Sequence, residues 1–217
     1  MRIIIHGGRV WTAVPGEAAR KATIVVEDGR VKEVCEPGEK TEMPSGEEID
    51  ASGKTILPGL INAHSHITLD GRSPDPEATA MKDDPYIMLV KAIHAAKEYL
   101  QSGVTTIRDL GAMEGVDFAL KKAITEGMVV GPRMLVSGRP ICMTGGHGCP
   151  IAIEVDGADS ARHAARLQLK GGADVIKLMA TGGVMTPGSH PRVSELTLDE
   201  MNAIVEEARK VGRQVCC

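Results

Sequence analysis

The sequence predicts an α/β protein: the N-terminal part of a (β/α)8 TIM-like barrel, preceded by a small antiparallel β domain. Three observations carry that prediction. Up to about Pro58 the chain consists of short β-rich runs broken by glycine turns; beyond it, apolar runs alternate with stretches of helical spacing. The residues able to do chemistry gather just past the apolar runs, while the helical stretches carry ordinary surface charge.

In the first part, residues 1–57, "RIIIHGGRVW", "ATIVVEDGRVKEV" and "EEIDASGKTI" read as strands, and Asp28-Gly29 is a hairpin signal. The polar segment "CEPGEKTEMPSGEE" between two of these runs reads as an exposed loop. In the second part, residues 58–217, the strands are "ILPGLINA", "GVTTIRDL", "RMLVSG", "DVIKLMA" and "QVCC". Between them lie helical patterns in "DDPYIMLVKAIHAAKEYLQSG", "EGVDFALKKAITEG", "SARHAARLQLKGG" and "TLDEMNAIVEEARKVG", ending at Gly103, Gly127, Gly171 and Gly212. Thr197 and Glu200 stand in capping-box spacing. Strands and helices alternating at this interval imply parallel strands joined by right-handed crossovers, about half of an eight-fold barrel.

Composition narrows the function. The 217 residues contain 42% hydrophobic and 25% charged side chains but only 2% aromatics, so aliphatic residues, alanine and methionine must fill the interior. A net charge of -4 gives no reason to expect nucleic acid or an anionic membrane as partner, leaving a small-molecule substrate. "MRIIIHGGRVW" is too short an apolar run for a signal or a membrane span, and the expected compartment is the cytoplasm. The five cysteines form no paired framework and read as free thiols. Cys142, His147 and Cys149 in "CMTGGHGC" match no common zinc-finger spacing.

Two features demand chemistry. His64 and His66 in "AHSH" stand two residues apart at the end of a buried strand, so both face one side; they suit one metal ion or, alternatively, are hydrogen-bonded loop residues. Lys177 in "DVIKLMA" lies among apolar residues where an ammonium is costly to desolvate. It needs a salt bridge such as one to Asp109, a stem that snorkels to solvent, or a chemical modification. Arg108 and Asp109 read as an internal ion pair; the loop "TPGSHPRVSELT" after Lys177 reads as pocket lining, with His190 and Arg192 either part of it or solvated.

"PGLINAHSH", the β-rich stretch before it, "GVTTIRDLG" and "GGADVIKLMATGGV" together resemble the metal-dependent amidohydrolase superfamily, in its branch of Xaa-Pro dipeptidases and imidazolonepropionase-like enzymes. The resemblance implies that His64 and His66 bind the more buried of two divalent metals, usually zinc. It implies that Lys177 is carboxylated by CO2 to a carbamate bridging both, and that His147 in "TGGHG" lies near the substrate. The implied reaction is hydrolysis of an amide, such as a dipeptide bond before proline, by a metal-activated water. Alternatives are a cyclic-amide hydrolase of imidazolonepropionase or hydantoinase type, or a scaffold that has lost its metals. The family also uses two later histidines and a proton-shuttling aspartate, which this sequence does not contain. It therefore reads as the N-terminal half of an enzyme, inactive alone, with an incomplete β domain and a homo-oligomeric state expected of the full-length protein.

Overall fold

A computed structural model describes residues 1–36 and 46–217, in two compact units, Met1–Leu60 and Ile61–Cys217. The polar segment predicted as a loop falls largely on residues 37–45, outside the described residues.

The first unit contains β1 (Arg2–His6), β2 (Arg9–Val10), β3 (Arg20–Lys21), β4 (Thr23–Glu27), β5 (Arg30–Cys35), β6 (Glu47–Asp50) and β7 (Thr55–Ile56). The expected hairpin joins β4 to β5: Glu27 pairs with Arg30, and Asp28 and Gly29 both take positive φ, 49° and 75°, as a two-residue type I′ turn requires. The expectation of one antiparallel sheet is corrected. There are two mixed sheets, ordered β5-β4-β1-β6 and β3-β2-β7, in which β1–β6 and β2–β7 are parallel. The intervening β4–β5 hairpin supplies the long connection that returns the chain in the same direction, a long-range choice that local turn chemistry does not encode.

The second unit opens with β8 (Leu60–Ser65), which begins at the boundary. It continues through α1 (Pro76–Ala80), α2 (Pro85–Gln101), β9 (Val104–Asp109), α3 (Val116–Thr125), β10 (Arg133–Val136), β11 (Ile141–Met143), β12 (Ile153–Val155), α4 (Ala158–Gly171), β13 (Val175–Lys177), α5 (Leu198–Lys210) and β14 (Gln214–Cys216). Every predicted strand and helix of this part is present. Parallel pairs join β9 to β10, β11 to β12 and β13 to β14, and the sheet order β10-β9-β8 puts β8 at an edge. That position corrects the expectation of a buried strand: Leu60 and Ile61 are 52% and 71% exposed, because one flank of β8 has no neighbouring strand among the described residues.

The helices form where their ends are capped and one face is apolar. Asp84 accepts hydrogen bonds from the amides of Tyr86 and Ile87 with Pro85 at the first position, and Met88, Ala92 and Ala96, spaced by four, are buried. The Thr197–Glu200 capping box starts α5. One helix end moves: Gly172, at φ 102°, takes the left-handed position that closes α4, and Gly171 is the last helical residue. Gly171 serves packing instead, since a β-carbon there would stand 2.9 Å from the ring of Phe118.

Two large apolar clusters fill most of this unit, one around Ile107, Leu120 and Val136, the other around Ile141, Ile176 and Ile204. The only phenylalanine, Phe118, packs against both. Fully buried alanines at 92, 96, 161, 165 and 208 let helices approach the strands closely where bulkier groups are scarce.

Candidate functional site

The strand ends of the second unit bring the predicted residues together. On β8 and just beyond it, His64 and His66 point the same way, their ring centroids 5.2 Å apart and tilted by 58°. Ser65 between them is buried, its hydroxyl 2.8 Å from that of Tyr99, as the alternation of a strand dictates. Both imidazoles lose proton affinity. Burial lowers each, the charge of Lys177 acts on both, and Arg108 adds to the effect on His64. A neutral imidazole is the form that binds a metal.

His66 is further defined by its Nδ1, which lies 3.2 Å from the carbonyl oxygen of Gly111. A carbonyl only accepts, so Nδ1 carries the hydrogen and the Nε2 lone pair is open.

Lys177 ends β13 at 5% exposure, between Ile176 and Leu178 of the second cluster. It makes no hydrogen bond or ion pair among the described residues, and the anticipated bridge to Asp109 is not formed. Burial, with Arg108 in support, pulls its pKa below the usual lysine range. The amine is thus held partly toward its neutral, nucleophilic form at the same place where its field reaches both histidines.

The Arg108–Asp109 ion pair is also corrected. Neighbours on a strand face opposite sides. Arg108 donates from Nε to the carbonyl of Ala63 at 2.7 Å, while the fully buried Asp109 accepts from the amides of Ile67 at 2.6 Å and Gly111 at 3.1 Å. Burial and the nearby Asp117 push the Asp109 carboxyl well up.

His147 lies in the loop between β11 and β12, near enough to lower the proton affinity of His66. Its ring rests on Gly183, where a β-carbon would fall within 2.5 Å of Nε2. Its amide donates to Glu195 Oε2 at 2.8 Å, and Nδ1 lies 3.4 Å from the hydroxyl of Thr186. The Gly148 amide donates to that same hydroxyl at 2.9 Å, and Glu195 Oε1 accepts from Ser189 at 2.7 Å. Glu195, Thr186 and Gly183 therefore hold the histidine from the loop after β13. The loop "TPGSHPRVSELT", expected from sequence to line the pocket, contains Thr186 and Glu195, but none of the three residues was given a role. Glu77 on α1 was missed as well, a buried carboxyl pushed up by desolvation whose field is felt by Cys149 and which in turn feels His147.

Cys142 packs with Ala152 and Met179 in a small apolar cluster, and burial pushes its thiol up to about 12. Of the two readings left open for His190 and Arg192, the structure shows both exposed. Among the described residues no three His, Cys, Asp or Glu side chains converge as a metal site; His64 and His66 stand side by side, and the charge of Lys177 reaches both. No helix among the described residues is long and apolar enough to cross a membrane.

The fold has counterparts in known proteins. A solved prolidase in complex with N-methylphosphonate-L-proline superposes with TM-score 0.88 at 29% identity, over 99% of this chain and 55% of that one. A Xaa-Pro dipeptidase with methionine bound in its active site gives 0.86 at 26%, over 99% and 56%. Ochratoxinase of Aspergillus niger is 29% identical over 230 residues, 92% of this chain and 46% of the relative. The chain thus spans about half the length of the relatives it matches. The profile of the amidohydrolase family covers residues 55–217, and with a mixed α/β fold like that of the amidohydrolases the chain belongs to that family.

Proposed function

We propose that this chain is the N-terminal half of a metal-dependent amide hydrolase that cleaves dipeptides, foremost those with proline at the C-terminal position, and that its strands build the first half of a (β/α)8 barrel. The observation that carries the reading is the meeting of His64, His66 and the unpaired, buried Lys177 at the strand ends. These donors fit divalent metals such as zinc: two neutral imidazoles, one with its Nε2 open, beside an amine that lacks any other partner. When bound, such ions supply Lewis acidity that activates water near neutral pH and polarises a scissile carbonyl.

The chain's own residues divide the remaining work. Neutral Lys177 Nζ adds to the carbon of CO2, one nitrogen-bound proton leaves to solvent, and the resulting carbamate turns an awkward cation into a two-oxygen anion. His64 and His66 present nitrogen lone pairs from one face of one strand, which fixes their spacing. His147, seated on Gly183 and turned by Thr186, offers a ring nitrogen to the substrate's polar groups.

The test is a hydrolysis screen of acyl-proline and other dipeptides against cyclic amides, on a polypeptide that continues through the second half of the family fold, with metal content measured in parallel. Dipeptide cleavage that disappears on chelation and in Lys177→Ala is expected. Turnover of cyclic amides alone overturns the dipeptidase reading; failure to take up zinc, manganese or iron overturns the hydrolase reading in favour of a scaffold.

A further inference from the structure

We infer that Asp109 is a positioning residue for His66, setting both its backbone and the tautomer of its ring. The inference rests on the proposed role of His66 in binding metal. Asp109 is fully buried at the end of β9, one strand away from the histidine pair. Its two oxygens are used separately. Oδ2 accepts from the amide of Ile67, the peptide immediately after His66, at 2.6 Å; Oδ1 accepts from the amide of Gly111 at 3.1 Å. Gly111 then offers its carbonyl to His66 Nδ1 at 3.2 Å.

One carboxyl group therefore pins the main chain of the histidine and the residue whose carbonyl fixes its ring. The far side of that carbonyl's peptide is held too, because the Ala112 amide donates to the carbonyl of Gly138 at 3.1 Å, and the Gly138 amide donates to Asp117 at 2.8 Å. The approach is tight enough to demand glycine: a β-carbon on Gly111 would sit 3.0 Å from His66 Nδ1 and 3.0 Å from Pro140 Cγ. A ligand imidazole whose second nitrogen is anchored in this way loses about 10–100-fold in metal affinity when the anchor is disturbed. The residue whose carbonyl anchors the ring, Gly111, is itself held by Asp109 through its amide, so the loss passes through Asp109.

The direct test reads the tautomer. In the metal-free 217-residue chain, long-range proton–nitrogen NMR at neutral pH should find His66 as a single Nδ1–H tautomer. An Nε2–H ring in the unaltered chain overturns the proposal without any variant having to fold. Asp109→Asn keeps the shape but cannot accept from both amides; it should give a mixture of tautomers and a 10–100-fold weaker zinc affinity by calorimetry. His66→Ala is the reference. If it abolishes zinc binding while Asp109→Asn leaves tautomer and affinity unchanged, the positioning role is wrong and the metal reading stands. If His66→Ala leaves zinc binding intact, the metal reading itself falls, and the positioning role with it.

Discussion

Replacing Lys177 by methionine should make the metal-free chain more stable. The side chain is 5% exposed, on a strand flanked in sequence by the core residues Ile176 and Leu178, and has neither a hydrogen bond nor an ion pair among the described residues. Nζ is not among the side-chain atoms wholly sealed from solvent without a partner, so its partial desolvation costs up to about 1–3 kcal/mol. Methionine removes that cost at nearly the same volume, and the repacking penalty for volume-conserving swaps stays below about 1.5 kcal/mol. The net expectation is a gain of about 1–2 kcal/mol, roughly tenfold in the folded-to-unfolded ratio. Urea unfolding of both chains at pH 7, in buffer stripped of metal and bicarbonate, reads it as a shifted midpoint with unchanged slope. The pH dependence has a defined sign. Because the folded pKa is depressed, the unfolded chain binds more protons between the folded value and the usual 10.5, so the lysine's cost is full below its folded pKa and fades as pH rises toward 10.5. Added zinc and bicarbonate should reverse the order, since ligand at a hundred times its Kd stabilises the chain that binds it by about 2.7 kcal/mol. A methionine variant less stable by 1 kcal/mol or more in the stripped buffer, an amount set by the same cost scale, would refute the reasoning.

Further expectations concern other parts of the second unit. Gly183→Ala drives a β-carbon into the His147 ring and should cost about 1–3 kcal/mol by denaturation while weakening substrate binding. Asp117, raised from 3.8 to about 6 chiefly by burial, binds its proton more tightly in the folded state. Its contribution is fully present below 3.8 and is lost as pH rises through about 6, about 3 kcal/mol in all. Asp117→Asn should flatten that part of the stability–pH curve. Glu207 is met by Arg162, Arg166 and Lys210, at 2.8, 2.9 and 2.6 Å, which hold its carboxyl far below the usual range. That stability is present above the ordinary carboxylate pKa and lost in acid. Glu207→Gln should therefore lower the thermal midpoint at pH 7 and narrow the gap as pH falls.

The sequence made legible whatever depends on neighbours along the chain. Asp28-Gly29 specifies its own turn, Met88, Ala92 and Ala96 mark the buried face of α2, and two histidines at i and i+2 on a strand must share a side. Illegible were the features decided across space. The parallel partner of β1 lies more than forty residues away, and β11 and β12 are three-residue strands inside what reads as one long loop. The adjacency of Arg108 and Asp109 suggested a pair that alternation forbids, and the true partners of Asp109 are backbone amides with no signature in sequence. Within the site, the His64 and His66 pair was visible because its geometry is local. Glu195, forty-eight residues from the histidine that it holds, was not.

The small parallel pair β11–β12 has a consequence for motion. Ile141 pairs with Ile153 and also bridges to Leu178, and its carbonyl accepts from Met179 at 2.8 Å, two residues past Lys177. The root of the His147 loop is thereby stitched to the strand that carries the lysine, so this loop cannot lift at its base. Higher up, Gly145 and Gly148 take positive φ of 69° and 70°, and their amides are tied to Glu154 and Thr186. Glu195 joins this loop to the one after β13 through His147 on one oxygen and Ser189 on the other. Breaking the Glu195 bonds should therefore loosen both loops at once, which hydrogen exchange at the His147 and Ser189 amides in Glu195→Gln would read.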